Sequence, residues 1–187
     1  MIKFKTLYVT NRKDWRSWLE KNFRTANEIW LVTPNKSSGK QSLPYNDAVE
    51  EALSFGWIDS TVRPLDAESR IQRFSPRRLG SPCSQANKER LKWLLKNRLV
   101  HPSISDAARK AVREKFVFPG DILAVLKADP LAWKNYRRFS PSYRRIRIAY
   151  IDGARKRPAE FQKRLSNFVR KTRANQCFGF GGIEKHY

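Results

Sequence analysis

Residues 56–74, GWIDSTVRPLDAESRIQRF, decide the fold class. Residues 57–65 and 70–74 contain β-branched and aromatic side chains, and the turn-forming sequence DAES joins them, which predicts a β-hairpin. Gly56 precedes the first strand, and glycine commonly ends a helix by adopting a left-handed conformation. The run therefore predicts a junction between a helix and an antiparallel pair of strands.

The preceding sequence predicts two helices and a third strand. Residues 28–33, EIWLVT, form a short apolar run that stops at Pro34, as expected for a strand. Residues 45–55 predict a helix with an apolar face formed by Ala48, Val49, Ala52 and Leu53. Asn11 can cap an earlier helix whose apolar positions recur at helical spacing: Trp15, Trp18, Leu19 and Phe23.

After Ser84 the apolar spacing becomes helical, so we expect every strand to lie before Pro76. Ser84 and Ser103 can each cap a helix, and a last helix is expected from about Pro158. Two further helix starts place a capping residue before a proline: Asp129-Pro130 and Ser140-Pro141. We predict an α+β fold in which a small antiparallel sheet with helices is followed by an all-α helical extension.

The chain is strongly basic, with a formal net charge of +22. Residues 1–60 hold 9 basic and 7 acidic residues, which leaves 30 basic and 10 acidic residues for 61–187. Such a field attracts polyanions or anionic ligands without specifying one. The N-terminal sequence lacks the apolar core of a signal peptide, so we expect a cytoplasmic protein without a membrane span. Cys83 and Cys177 are expected to be ordinary thiols, and no metal or cofactor is predicted.

Residues 137–173 carry 13 basic and 2 acidic residues with aromatic side chains between them. This mixture suits phosphate contacts and base stacking, but it is equally typical of a solvated basic face over a helical core. The candidates for an anion or nucleic-acid surface are Arg137, Arg138, Arg144, Arg145, Arg147, Lys163 and Arg164.

Several stretches in order resemble the YdeI/OmpD-associated family, also labelled bacteriocin-protection proteins. They include SFGWIDS at 54–60, RFSPRR at 73–78, SPCSQAN at 81–87 and FSPSYRR at 139–145, and the resemblance extends from about residue 15 to 170. It implies a YdeI-like domain over 1–116 and an OmpD-associated-type extension over 117–175. Residues 176–187 show no helical period, so we expect an irregular tail there. The family also implies a link to resistance against bacteriocins and cationic peptides, without an established reaction.

The predicted hairpin and the helix start at Ser84 suggest a ligand-binding cleft. Asp59 facing Arg73 or Arg77 would offer paired charge beside hydroxyl and amide donors. Alternatively, Asp59 and an arginine form a structural ion pair, and Ser84 only caps its helix. The candidate ligand-binding residues are Trp57, Asp59, Arg73, Ser75, Arg77, Ser84 and Asn87.

Three functions remain open from the sequence. The leading one is a non-enzymatic protein that binds an anion or another small ligand and is linked to bacteriocin or cationic-peptide stress. The first alternative is non-specific nucleic-acid binding by the basic helices. The second is a small-molecule enzyme in the cleft between Gly56 and Asn87, although no histidine is expected beside its serines.

Overall fold

The computed structural model describes residues 4–78, 80–179 and 182–187. They divide into two compact units: the first runs to Pro82 and includes Leu91–Ala111, and the second consists of Cys83–Arg90 and Val112–Tyr187. The strands and helices are β1 (Thr6–Leu7), α1 (Arg12–Asn22), β2 (Ile29–Pro34), α2 (Tyr45–Ser54), β3 (Trp57–Pro64), β4 (Ser69–Pro76), α3 (Gln85–Lys96), α4 (Ser105–Arg113), α5 (Gly120–Lys127), α6 (Pro130–Arg138), α7 (Pro141–Asp152) and α8 (Pro158–Arg173).

The α+β fold class predicted from the sequence is confirmed. In the described residues, no strand follows Pro76, where β4 ends. The sheet has the order β1-β2-β4-β3, with β4 antiparallel to both of its neighbours, as the hairpin pattern predicted. The sheet is nevertheless mixed rather than wholly antiparallel, because β1 pairs in parallel with β2. A strand of two residues is too short to show an alternation that sequence reading could detect.

The core of the first unit forms where α1 packs on α2 and the sheet. Asn11 caps α1 by accepting a hydrogen bond from the Asp14 backbone N–H at 3.0 Å, as predicted. The Trp15 side chain is fully buried, its ring centroid lies 5.5 Å from that of Phe74, and its Nε1 donates to the Ala48 carbonyl at 3.0 Å. A buried indole with a satisfied N–H contributes apolar burial without leaving an unpaired donor.

Buried carboxylates of α2 are held by arginines of α1. The Glu50 side chain is 0% exposed and accepts from Arg12 Nη1 at 2.7 Å. Glu51 is 6% exposed and accepts from Arg12 Nη2 at 2.7 Å and from Arg16 Nη1 at 2.9 Å. Charges removed from water must be compensated within the protein. These ion pairs therefore fix how α1 and α2 pack.

The second unit is helical, with a core formed by α5 to α8. The two predicted Pro-preceding caps are confirmed: Asp129 Oδ1 accepts from the Ala132 N–H at 3.0 Å, and Ser140 Oγ accepts from the Tyr143 N–H at 3.2 Å. None of the helices in the described ranges is long and apolar enough to cross a bilayer. The buried core residues are Ile122, Leu126, Ala132, Tyr136, Phe139, Tyr143, Ile148, Ile151, Leu165 and Phe168.

The C-terminal residues end in a packed 3-10 turn at Ile183–His186. Ile183 is 4% exposed, and the Tyr187 ring packs edge-on against Tyr143 with a centroid distance of 4.7 Å. Burial raises the pKa of Tyr187 to about 12. Ile183 and Tyr187 are thus packed within the second unit, which the sequence of the tail did not predict.

The prediction that Ser103 caps the next α-helix is wrong. A 3-10 turn occupies Pro102–Ile104, and α4 begins at Ser105. The cap of the turn is His101, whose Nδ1 accepts from the Ser103 backbone N–H at 3.2 Å. The Ser103 hydroxyl also hydrogen-bonds the imidazole, so it does not cap α4.

We expect replacement of Arg12 by alanine to lower the free energy of unfolding by about 3–5 kcal/mol, because it removes the guanidinium that pairs with the buried Glu50 carboxylate. Urea denaturation followed by circular dichroism measures this loss. The control is Arg155→Ala, which removes an exposed arginine that pairs with Asp121 and Asp152. Its loss should change stability far less, and equal losses in the two variants would contradict a special role for Arg12.

Candidate functional site

The end of the sheet is organised by Gly56. α2 ends at Ser54, and Gly56 takes a left-handed conformation with φ of +73°, as its predicted role in ending the helix requires. The Gly56 carbonyl then accepts from the Arg77 backbone N–H at 2.9 Å, and Trp57 pairs with Pro76 in the ladder. The start of β3 and the loop after β4 therefore lie together.

An apolar cavity of about 400 Å³ lies beside this junction in the first unit. Arg77, Arg78 and Lys110 contribute the charged side chains of its lining. The remainder comes from α2, β3, α3, the turn before α4 and α4 itself, together with two small residues of the loop. These residues are Leu53, Gly56, Trp57, Gly80, Ser81, Leu91, Ile104, Ala107, Ala108 and Ala111.

A second, more polar cavity of about 450 Å³ shares part of this lining. Arg78 and Ser81 line both cavities, so the two adjoin at the loop after β4. The other residues that line the polar cavity are Asn27, Ile58, Ser60, Arg73, Ser75 and Pro76.

The lining of both cavities is cationic. Neither includes a carboxylate among the described residues, whereas Arg73, Arg77, Arg78 and Lys110 all contribute. Arg73 is neutralised by Glu28, to which its Nε donates at 2.7 Å. Hydrogen bonds from the Trp30 indole and from Arg73 hold the pKa of Glu28 below its usual value.

The other arginines of the lining lack such a partner. The Arg77 guanidinium donates to the Ser81 carbonyl. The Arg78 side chain is exposed, and it forms no hydrogen bond or ion pair with any described residue. The junction therefore presents positive charge and N–H donors that a bound oxyanion could satisfy.

Four of the predicted ligand-binding residues line these cavities: Trp57 and Arg77 the apolar one, Arg73 and Ser75 the polar one. Asp59 does not line either. The remaining two belong to the second unit, where Ser84 caps α3 by accepting from the Asn87 N–H at 3.3 Å. The predicted helix cap is thus confirmed.

The expected pairing of Asp59 with an arginine is wrong. Asp59 lies opposite Phe74 in the ladder, and its Oδ2 accepts from Tyr45 Oη and from Gln72 Nε2, both at 2.9 Å. Arg73 lies across from Trp30 on the other neighbouring strand and reaches Glu28 there. The register sends the two charges to different partners, so Asp59 is held by Tyr45 and Gln72 rather than by an arginine.

Sequence reasoning missed Arg78, Ser81 and Lys110 as lining residues. The paired arginines and the following Gly and Ser of residues 77–81 were a visible signal, because a basic loop at a strand end often binds anions. Lys110 gave no signal of this kind. Lys110 lines the cavity because α4 packs beside the open end of the β3–β4 hairpin. That contact joins segments far apart in the chain, so the local sequence does not predict it.

The lining of the two cavities contains neither imidazole nor carboxylate in the described residues, so it places no general base of either kind beside Ser60, Ser75 or Ser81. His101 lines neither cavity, and its ring centroid lies 4.8 Å from that of Phe23. In the same described ranges, no cluster of three metal-ligating side chains occurs.

The basic residues of the second unit that were predicted to form one surface differ in exposure and in pairing. Arg137, Arg138 and Lys163 are exposed. Arg145 instead forms a two-pronged pair with Glu89 at 2.7 and 2.9 Å. Each of the other three arginines is engaged within the protein. Arg164 pairs with Glu160, Arg144 lies over the Tyr136 ring, and Arg147 is buried.

Two family models match the chain. A domain of unknown function, DUF8412, matches residues 7–107, and the family described as bacteriocin-protection, YdeI or OmpD-associated matches residues 115–175. The second match confirms the resemblance predicted from the sequence, while the N-terminal stretches of that resemblance fall within the first match. No curated protein and no solved structure gives a significant match.

Gly56→Ala should destabilise the protein more than Gly39→Ala. Both glycines have left-handed backbones, with φ of +73° and +67°, so each substitution costs about 1–2 kcal/mol of backbone strain. A Cβ at Gly56 would also meet Ile104 Cδ1 at 3.2 Å, whereas a Cβ at Gly39 has open space. We expect an additional loss of about 1 kcal/mol for Gly56→Ala, measured by urea denaturation. Equal losses would show that the Ile104 side chain can move away from the new Cβ without a measurable loss of stability.

Proposed function

We propose that this chain, which belongs to the family of the domain of unknown function DUF8412 and carries a YdeI/OmpD-associated segment, is a non-enzymatic anion-binding protein. The observation that carries the proposal is the adjoining pair of cavities in the first unit, whose described lining contains four cationic residues and no carboxylate. Charged linings of one sign concentrate ligands of the opposite sign.

The chemistry of the lining favours an anion with an apolar body. The apolar cavity offers leucine, isoleucine and alanine side chains for a hydrocarbon group, and Arg78 stands at the boundary with the polar cavity. An oxyanion at that boundary would accept from the Arg78 guanidinium, and charge-assisted hydrogen bonds of this kind contribute about 1.5–3 kcal/mol. Ligand sites are commonly apolar clefts with a few convergent polar groups.

The family that matches residues 115–175 is described as bacteriocin-protection, which suggests the setting of this activity. Direct capture of a cationic peptide does not fit the electrostatics, because a chain of net charge +22 repels polycations. Binding of an anionic compound is compatible with the same charge. We therefore assign the protective role, under this proposal, to recognition of an anion rather than of the toxic peptide itself.

Octanoate should raise the melting temperature and give a measurable Kd by isothermal titration calorimetry, whereas octanol should bind at least tenfold more weakly because it lacks the charge. Arg78→Gln should weaken octanoate binding about fivefold to tenfold. Arg109→Gln is the matched control, since Arg109 is an exposed arginine of α4 that lines neither cavity.

Two further results would decide against the proposal: no octanoate binding at millimolar concentration, or equal weakening in the two arginine variants. Asp59→Asn tests whether a residue that lines neither cavity affects octanoate binding. Because Asp59 supports the fold through Tyr45 and Gln72, this variant should lose some stability and keep the wild-type Kd for octanoate.

Non-specific nucleic-acid binding is a second candidate, favoured by Arg137 and Arg138 at the end of α6. Both are exposed, and neither side chain forms a hydrogen bond or ion pair with the described residues. They lie at the start of the 137–173 region, which carries 13 basic and 2 acidic residues. Exposed arginines of this kind can contact phosphates without reading bases.

If this surface binds duplex DNA, the double variant Arg137→Glu/Arg138→Glu should reduce the log-log salt slope by about 2, since each lost phosphate contact removes about 0.9. Fluorescence anisotropy of a random duplex at several salt concentrations measures the slope. Lys13→Glu/Lys21→Glu makes the same change in net charge on exposed residues of α1 and should have a smaller effect. No binding at low salt, or the same response in both variants, would remove this candidate.

A further inference from the structure

Arg147 of α7 is a buried cation without an anionic partner. It is 3% exposed, and it forms no ion pair with a carboxylate in the parts of the chain that the structure describes. Its Nη2 donates to Tyr187 Oη at 2.8 Å, while its buried Nε has no hydrogen-bond partner there. A guanidinium cannot shed its proton in a protein, so this charge remains in place.

Aromatic rings surround the Arg147 guanidinium. Its central carbon lies 5.0 Å from the ring centroid of Phe178, and the distances to the centroids of Tyr143, Tyr150 and Tyr187 are 5.9, 5.7 and 5.7 Å. Cation–π attraction offsets part of the cost of burying the charge. It does not, however, satisfy the N–H donors, which need an acceptor in the guanidinium plane.

Another arginine on the same helix shows what full compensation looks like. Arg145 is 24% exposed, yet it holds both carboxylate oxygens of Glu89. Arg147 is more deeply buried and has only a neutral phenol as acceptor. Buried charges are normally paired with an opposite charge. Arg145 has such a partner in Glu89, whereas the more deeply buried Arg147 has none among the described residues.

Arg147 lines a cavity of about 300 Å³ between α7, α8 and the residues that follow α8. Lys163, Arg164 and Asn167 of α8 line it as well. The Lys163 side chain is exposed and forms no ion pair with a described residue. The lining thus adds a free ammonium and an amide to the buried guanidinium.

One carboxylate, Glu160, is also part of the lining, but it is already engaged. Arg164 Nε donates to it at 2.7 Å, and this hydrogen bond lowers the pKa of Glu160. The same guanidinium lies 3.8 Å over the Tyr150 ring. Glu160 therefore neutralises Arg164, while Arg147 and Lys163 keep their positive charge.

We infer that this cavity of the second unit is a binding site for a small oxyanion, a phosphate or carboxylate, attached to an aromatic or apolar body. The oxyanion would pair with Arg147 and Lys163, and the rings of Tyr150, Phe168 and Phe178 would contact the body. The site uses residues of the second unit alone, so it stands independently of the octanoate site proposed for the first unit.

Isothermal titration calorimetry with phenyl phosphate, benzoate and inorganic phosphate tests this site. At least one of the two aromatic anions should bind the wild-type chain, and the stronger of the two identifies the headgroup. Inorganic phosphate, which has no apolar body, should bind at least fivefold more weakly than phenyl phosphate. Absence of binding by all three compounds at millimolar concentration would overturn the inference.

Two variants connect the binding to the named residues. Lys163→Gln should weaken it about fivefold, and Lys156→Gln, which removes another exposed lysine of the same unit, should leave it unchanged. Arg147→Met should weaken binding at least tenfold without lowering the melting temperature of the ligand-free protein, since it removes an unpaired buried charge. Arg78→Gln should not affect this binding, which separates it from the site in the first unit.

The opposite pattern would show that Arg147 is only structural: a large loss of stability in Arg147→Met together with wild-type binding by Lys163→Gln. If Arg147→Met does not fold, Lys163→Gln and its control still decide the question, because both replaced lysines are exposed. Equal weakening by Lys163→Gln and Lys156→Gln would indicate general charge attraction and would also overturn the site.

Discussion

The pairing of Arg12 with Glu50 and Glu51 is the interaction on which the first unit depends. It places two carboxylates of α2 inside the protein, with side chains 0% and 6% exposed, and makes their burial tolerable only when α1 is docked. Apolar burial of Trp15 drives α1 and α2 together, but apolar contacts alone would allow α2 to rotate or slide. The ion pairs remove that freedom, because any shift leaves a buried charge without its partner.

The position of α2 then determines the candidate site. Gly56 follows α2 directly, and its left-handed conformation turns the chain so that Trp57 enters the sheet opposite Pro76. The hydrogen bond from Arg77 to the Gly56 carbonyl fixes the basic loop at the same end. A change in the α1–α2 packing would therefore shift the cavity lining directly, because only Phe55 and Gly56 separate α2 from Trp57.

Local patterns predicted the fold well and the site only in part. Asn11, Ser84, Asp129 and Ser140 all cap helices as their sequence contexts indicated, since a cap depends on its own turn. The partner of Asp59 was not predictable in this way. It depends on the β3–β4 register, which has an irregularity between Asp59 and Val62. It also depends on Glu28, which lies 45 positions before Arg73 in the chain and binds the arginine that was expected to pair with Asp59. The burial of Arg147 similarly depends on residues 31 to 40 positions later, Phe178 and Tyr187.

The distribution of acidic residues explains why the cavities of the first unit and the Arg147 cavity of the second unit are cationic. The chain has 17 acidic residues for 39 basic ones, and several of the acids are engaged where they order the fold, as with Glu50 and Glu51 in the first unit and Glu89 in the second. Exposed arginines and lysines need no protein partner, since water and counterions screen them. Cations at cavities are different, because a cavity excludes part of that screening. For Arg147, no carboxylate of the described residues pairs with the buried guanidinium, and the aromatic rings and the Tyr187 phenol compensate only part of its charge. The anion that we propose for its cavity would supply the rest.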